Sequence, residues 1–482
     1  MTEVSETAGK LAGSAAMMII RKVAGSLLST ASSVVVVRCL APGEFGRYAA
    51  GLAAFHLLLA LTEFGFSEVL GRELGRGRAD ASSFGRLVLT VNLAWSALVA
   101  LAGVVLAGFF AFGSTRGDTL LVLTPAIALA GLTAVRQFFY ATHQVGRMAT
   151  LDLTVSALTT AAVVALAVGG ASAVVLAAAL CAGSAVNGLG MLRLAWHWLA
   201  PRSGTATVPG VPRRQAVGVL ARAAFPIGLA SFLSTAYVLV DIVILSSVFP
   251  AEVIGQYASA VKVLSILTIF PGLVMSIVLP HLSADWGDPE RLAMLSARVW
   301  HWFMSLVLPA VVIVAINAEP VMRLLFGDGY ATAAPYLRIL TLAGAISMLS
   351  QLLGVLVVAG GRAHWLVAQN FGALALNVGG NLAIAPVIGI SAAAWLTVLT
   401  ELVVCAGRWW VLRDRISVRP LLAVSARPAL AVLIAAAAGL TVTGSTWVAI
   451  PLAGVVYLIA LSALRGWPPE WIRLVKRGGG AA

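Results

Sequence analysis

Fourteen apolar runs, each of about 20 residues or more, follow one another along this chain with only short polar breaks between them. A helix rises 1.5 Å per residue, so ~20 apolar residues cross the ~30 Å of a bilayer's hydrocarbon. The first six runs cover 14–40, 46–71, 85–113, 118–141, 150–168 and 172–198. The other eight cover 220–249, 254–280, 294–317, 334–360, 364–385, 388–412, 424–443 and 446–465. Turn-forming residues punctuate them: Ala41-Pro42-Gly43, Arg76-Gly77-Arg78, Gly169-Gly170, Pro201 to Pro212, Gly360-Gly361 and Pro386. Only 11% of residues are charged and 60% are hydrophobic. A soluble fold carries ~25% charged residues, so this chain lacks the polar surface to cover a soluble core. The expected fold is an all-α polytopic membrane protein of about 14 transmembrane helices, placed in the cytoplasmic membrane.

Charge fixes the expected topology. Positive residues favour the cytoplasmic ends of short loops. With the N-terminus inside, 26 of the 32 Lys and Arg fall on the cytoplasmic side and 5 on the outer side, with Lys262 inside a helix. A missed or added span would scramble that alternation downstream, so both termini are expected to be cytoplasmic. The segment 1–13 is too polar to be the apolar part of a signal peptide, and the first span is expected to be retained. The net charge of +13 is scattered in short clusters between apolar runs, which argues against a nucleic-acid partner. Cys39, Cys181 and Cys405 all lie in apolar stretches without close spacing, which fits small apolar filler better than disulfides or metal ligands.

The chain carries a repeat. Pro42-Gly43-Glu44-Phe45-Gly46-Arg47-Tyr48-Ala49 and Pro250-Ala251-Glu252-Val253-Ile254-Gly255-Gln256-Tyr257-Ala258 share Pro, Glu, Gly, Tyr and Ala in order, with one residue inserted. Both copies fall on the outer side of the expected topology. Two six-helix halves of equal orientation imply pseudo-symmetry about the membrane normal. The expected organisation is a six-helix bundle over 14–198, a cytoplasmic linker over 199–217, a second six-helix bundle over 218–415 and an additional helix pair over 416–467.

The turn Arg38-Cys39-Leu40-Ala41-Pro42-Gly43-Glu44-Phe45-Gly46-Arg47-Tyr48 resembles the Arg-x-Leu-x-Pro-x-x-Phe-Gly-x-Tyr turn of the polysaccharide transporters in the multidrug/oligosaccharidyl-lipid/polysaccharide exporter superfamily. Glu63-Phe64-Gly65-Phe66 with Arg72 is similar to that family's Asp-Leu-Gly-Leu segment, with Glu in place of Asp. Asp241 ahead of Gly255-Gln256-Tyr257-Ala258, and Leu324-Leu325-Phe326-Gly327 with Tyr330, resemble further segments in the same order. The likeness covers about 14–415. It implies two bundles around a cavity that opens alternately to each face, and outward movement of polyprenyl-diphosphate-linked oligosaccharide. Membrane lipid and envelope polysaccharide assembly proteins are the expected partners.

Ionisable groups inside spans cost ~2.5–3.5 kcal/mol each on insertion scales, so they face a cavity or a partner. Arg21 and Lys22 sit about 8 residues, roughly 12 Å, inside the first run, and Glu63 lies at similar depth in its antiparallel neighbour. Asp241 and Lys262 match in depth in the seventh and eighth runs. Two ion-pair sites are therefore expected: Arg21 or Lys22 with Glu63, and Asp241 with Lys262. Arg21, Lys22 and Lys262 offer cationic contacts to a diphosphate, the arginine through its planar donor fork. Static structural pairing is the alternative. Glu401, near mid-depth in the twelfth run, is a candidate for proton or Na⁺ coupling, or for a hydrogen bond to Asn370 or Asn377.

An enzyme is not expected. The longest outer segment, about 318–333, is too short for a domain, and no Gly-x-x-x-x-Gly-Lys-Ser/Thr phosphate loop exists. No His and carboxylate cluster points to a metal centre, and no cofactor is expected. The competing transport readings are a multidrug or toxic-compound cation antiporter of the same fold and a lipid II flippase.

Overall fold

The computed structural model describes residues 21, 23–75, 81–109, 114–142, 144–199, 213–441 and 446–468. Regular structure among them is helical throughout. In chain order the helices are α1 (Val23–Cys39), α2 (Pro42–Thr62), α3 (Phe66–Gly75), α4 (Ala81–Phe109), α5 (Thr115–Leu129), α6 (Arg136–Ala141), α7 (Val145–Val168) and α8 (Ala173–Leu199). They continue as α9 (Arg213–Val248), α10 (Ala251–Ala284), α11 (Pro289–Ile316), α12 (Ala318–Phe326), α13 (Ala334–Ala359), α14 (His364–Ala383), α15 (Ala385–Ile388), α16 (Ser391–Leu412), α17 (Val418–Thr441) and α18 (Thr446–Ala463). Among the described residues, 12 helical stretches are long and apolar enough to cross a membrane. Shorter apolar helices over Val23–Cys39 and Ile450–Ala463 occupy the places of the first and last expected runs.

The chain divides into two compact units, Met1–Gly255 and Gln256–Ala482. In the first, α2 lies against α5 and α9, and α5 also packs on α4 and α8. Its core joins Phe66, Leu70, Val88, Phe138, Phe139, Met148 and Met191. Trp198 stacks on Phe138 with centroids 5.9 Å apart and meets Phe139 edge-on at 4.9 Å.

The expected run 46–71 is broken. α2 stops at Thr62 and α3 starts at Phe66, with Gly65 at φ +80° between them. That conformation suits glycine. A side chain there would also overlap the Ala224 carbonyl of α9 and stand 3.0 Å from the Gly228 nitrogen. The break is thus where α9 backs onto the chain.

Residues 42–46 and 251–255, from the starts of the two copies of the repeated turn, lie face to face in the first unit. A Cβ on Gly46 would overlap the Ala251 carbonyl oxygen and come 2.7 Å from the Gly255 nitrogen. Reciprocally, one on Gly255 would overlap the Pro42 carbonyl oxygen and stand 3.1 Å from the Gly46 nitrogen. Each glycine therefore makes room for the other helix's first turn. Glu44, in the same turn, accepts a hydrogen bond from the Ala173 N–H at 3.2 Å and so satisfies a free donor at the start of α8.

In the second unit α13 packs on α16, and α11 on α13 and α17. The core gathers Trp300, Phe303, Leu352, Leu353, Leu356 and Leu412. The helix pair α17–α18 is tied to α11 by polar bonds as well as by packing. Trp300 Nε1 donates to Ser425 Oγ at 2.8 Å, and Tyr457 Oη donates to the Ser305 carbonyl at 2.7 Å. Residues 318–333 form amphipathic α12 and a 3₁₀ turn over Asp328–Ala333. Val321, Met322 and Phe326 are buried, while exposed Arg323 bonds Glu319 at 2.8 Å and Asp328 at 2.9 Å. Those two carboxylates raise the Arg323 guanidinium above its ordinary pKa. Gln256 Nε2 donates to the Gly329 carbonyl at 2.7 Å, which joins two of the segments carrying the family likeness.

Candidate functional site

The strongest polar cluster of the first unit is assembled from four helical segments. The apolar run of α5 gives way to a 3₁₀ stretch, Ala130–Val135, before α6 begins at Arg136. Asn92 of α4 donates to the Gly131 carbonyl at 3.2 Å and satisfies that altered backbone. The change of winding sets the direction of Arg136. Its Nη2 reaches Asp152 Oδ1 of α7 at 3.1 Å and Asn187 Oδ1 of α8 at 3.2 Å. Asn187 Nδ2 in turn donates to Asp152 Oδ1 at 2.8 Å. From the opposite side Arg21 Nη1 donates to Asp152 Oδ2 at 2.8 Å.

Asp152 is therefore held by three donors, two of them guanidinium groups, and its side chain is 9% exposed. Charge-assisted bonds of this type are about twice as strong as neutral ones. Beside the cluster is a cavity of about 200 Å³, completed by Gly25, Leu153 and Ser156. A Cβ on Gly25, one turn beyond Arg21, would meet nothing within 4 Å, so this wall is open space. Arg21 Nε and Arg136 Nε are both buried and have no hydrogen-bond partner among the described residues. The cluster thus holds two guanidiniums bonded to one carboxylate, and both line the cavity. Such an arrangement can accept an anion.

The expected residues fall out as follows. Arg21 pairs with Asp152 and not with Glu63, which corrects the Arg21 alternative of the first expected pair. Matched depth fixes the height of two groups but not the side of the helix each occupies, and Arg21 turns toward α7. Glu63 closes α2 at the break and lies within electrostatic reach of Arg136. Lys22 lies outside the described residues. Asp241 is buried in α9, its Oδ1 accepting the Ile242 N–H at 2.7 Å. It belongs to the first unit, whereas half-buried Lys262 belongs to the second. Glu401 is half-buried on α16, two turns before Arg408. Arg408 Nη1 donates to the carbonyl and hydroxyl oxygens of Ser350 on α13 at 2.7 and 2.9 Å. Asn377 accepts from Asn381 Nδ2 at 2.9 Å. Among the described residues, no three of His, Cys, Asp and Glu come together in a way that could hold a metal ion.

Arg136, Asp152 and Asn187 were not among the sequence candidates. Their signal was present: each is a strongly polar side chain within an otherwise apolar run. Asp152 sits so near the start of the run 150–168 that it reads as an interfacial residue.

Residues 35–335 match the family described as "Polysaccharide biosynthesis protein". The chain belongs to this family. No curated protein sequence matches it. Its fold is similar to that of the lipid II flippase MurJ in an inward closed conformation, with 14% identity and a TM-score of 0.72 over 93% of this chain and 98% of that one. An inward-facing multidrug resistance MATE family transporter of the MOP superfamily gives 15% identity and a TM-score of 0.61 over 85% of this chain and 100% of that one. A MOP superfamily transporter from Pyrococcus furiosus gives 14% and 0.59 over 83% and 95%. This member of the family thus has a fold similar to those of flippases and transporters, and its 12 long apolar helical stretches make it a multi-pass membrane protein.

Proposed function

We propose that the protein moves a polyprenyl-diphosphate-linked oligosaccharide from the inner to the outer leaflet by alternating access, driven by an ion gradient or the membrane potential. The carrying observation is the pair of guanidiniums, Arg21 and Arg136, that line the cavity with 26% and 29% of their side chains exposed. A diphosphate takes up such donors, whereas an amphipathic cation meets two like charges there. Membership of a polysaccharide biosynthesis family supports an oligosaccharide as the attached group. In this reading Arg21, Lys22 and Arg136 engage the diphosphate in the first unit, and Lys262 supplies a cation in the second. Glu63, Asp241 and Glu401 carry the coupling charge. Fourteen spans with both termini cytoplasmic, and bundles over 14–198 and 218–415 joined by 199–217 with a helix pair over 416–467, go with it. The protein acts as a carrier and makes or breaks no covalent bond.

The test is a flipping assay in vesicles holding the purified protein and labelled undecaprenyl-diphosphate oligosaccharides, with and without imposed ion gradients. The label should become accessible at the far leaflet, and Arg21→Gln and Arg136→Gln should each slow the transfer at least tenfold at equal abundance. Lipid II and a fluorescent lipophilic cation are run beside it. Export of the cation without movement of either diphosphate lipid would overturn the reading, and movement of lipid II alone would replace the oligosaccharide by the peptidoglycan precursor.

A further inference from the structure

A second basic site lies in the second unit, where the start of α14 meets the end of α16. Arg362, in the turn before α14, donates from Nη1 to the Val411 carbonyl at 2.5 Å. A cation on the last carbonyls of a helix complements the negative end of its dipole. This bond brings Trp365 edge-on to Trp410, with ring centroids 6.1 Å apart. The guanidinium of Arg413 stands 5.1 Å from the centre of the Trp410 ring. Neither indole is taken into the core: Trp365 is 40% and Trp410 55% exposed.

Charge here is lopsided. From Arg408 to Arg419 the chain carries Arg408, Arg413, Arg415 and Arg419 against the single carboxylate of Asp414. Asp414 lies 3.8 Å from Arg413, and both side chains are mostly exposed, so the pair is weak. Arg415 is exposed; its backbone N–H donates to the Leu412 carbonyl at 2.8 Å, while its side chain makes no hydrogen bond or ion pair among the described residues. Below this cap an apolar stripe runs along one face of α16. Trp410, Val403, Leu399 and Trp395 succeed one another at helical spacings of seven, four and four residues, and all are exposed. At 1.5 Å per residue the stripe is ~22 Å long, more than one leaflet's share of a ~30 Å hydrocarbon core.

We propose that this corner binds a phospholipid with an anionic headgroup. Its phosphate sits on Arg413 and Arg415, its glycerol lies across the Trp365–Trp410 pair, and one acyl chain runs along the stripe of α16. Tryptophan favours the level of the headgroups, because its ring is apolar and its N–H polar. The positive cap supplies the choice of headgroup and the stripe supplies the choice of a lipid over a free anion. The site is separate from the Arg21–Arg136 cavity and does not rest on the flipping reading.

The test uses the full chain purified in detergent, titrated with phosphatidylglycerol, phosphatidylcholine or inorganic phosphate while thermal unfolding is followed. Phosphatidylglycerol should bind at least tenfold more tightly than phosphatidylcholine, and inorganic phosphate should not compete with it at millimolar concentration. Arg413→Gln with Arg415→Gln should weaken phosphatidylglycerol about tenfold or more and leave phosphatidylcholine unchanged. If that variant does not fold, Arg415→Gln alone, which alters an exposed side chain and keeps the backbone bond to Leu412, should give about a fivefold loss. Equal binding of the two lipids, unchanged affinity in Arg415→Gln, or full competition by phosphate would each overturn the proposal.

Discussion

Replacing Asp152 by asparagine tests the central cluster most directly. The carboxylate takes 2.8 Å bonds from Arg21 and Asn187 and a 3.1 Å bond from Arg136. Asparagine keeps the shape and one acceptor but turns the other oxygen into an NH₂ group. Whichever way the amide faces, a donor meets a donor and two guanidiniums lose their counter-charge. Removing one partner of a buried ion pair costs ~3–5 kcal/mol. Arg21 and Arg136 retain 26% and 29% side-chain exposure, so solvent relieves part of this and the expected loss is ~3 kcal/mol at the lower end of that range. The assay is chemical unfolding of the purified protein in detergent, as a double-mutant cycle with Arg21→Gln. Removing Arg21 in the Asp152→Asn background should cost less than removing it from the wild type, with a coupling of ~1–2 kcal/mol, within the range for groups in contact. Additivity to within ~0.5 kcal/mol would refute the reasoning, since it would mean the two groups do not share an interaction.

Three further outcomes follow from contacts elsewhere. Gly46→Ala forces a methyl group onto the Ala251 carbonyl and to 2.7 Å from the Gly255 nitrogen, so it should cost ~1–3 kcal/mol by overpacking; Gly43→Ala, whose Cβ would meet only the Glu252 nitrogen at 3.9 Å, should be neutral or slightly stabilising, both read by thermal unfolding. Glu44→Ala strips the acceptor from the Ala173 N–H and should speed hydrogen exchange over the first turn of α8, with a loss of ~0.5–2 kcal/mol, while Glu44→Gln should keep most of it. Trp300→Phe and Tyr457→Phe each delete one bond between α11 and the α17–α18 pair, and each should cost ~0.5–1.5 kcal/mol, with faster proteolysis confined to that pair.

The helices were legible because lipid imposes a length rule that apolar runs obey. A helix occupies the place of every expected run, and the short break at Leu40–Ala41 between α1 and α2 falls where Ala41-Pro42-Gly43 interrupts the pattern. Breaks inside runs were not legible in the same way. The residues at 130–135 are as compatible with a continuous span as their neighbours are, and Glu63 marks a costly position at 63–65 without marking a break. What bends the chain there is the approach of another helix: Ala224 of α9 at Gly65, and Asn92 of α4 at Gly131. Long-range packing of that kind leaves no mark on local hydropathy. The repeated turn, Pro-x-Glu followed by Gly after one or two residues, was visible as a pattern, but its purpose was not. Only the placement of Gly46 on Ala251 explains why the shared position is a glycine.

Depth was the sequence's one coordinate for the site, and it proved insufficient on its own. Arg21 and Glu63 were paired by height, yet Asp152 takes Arg21 because α7 presents its carboxylate on the side that α1 faces. The rule that buried charges find partners held; the choice of partner depended on azimuth, which hydropathy averages away. The same reasoning explains why Asp152 is central although it is not deep. A carboxylate near the end of an apolar run pays a small insertion cost, and that cost is offset once two arginines and an amide converge on it. In doing so it fixes both guanidiniums by their Nη groups beside the cavity. An anion that enters need not break the ion pairs to be held. In the proposed reading it meets guanidiniums that the pairing has already oriented, so the ordering of two long side chains is met by the fold before an anion arrives.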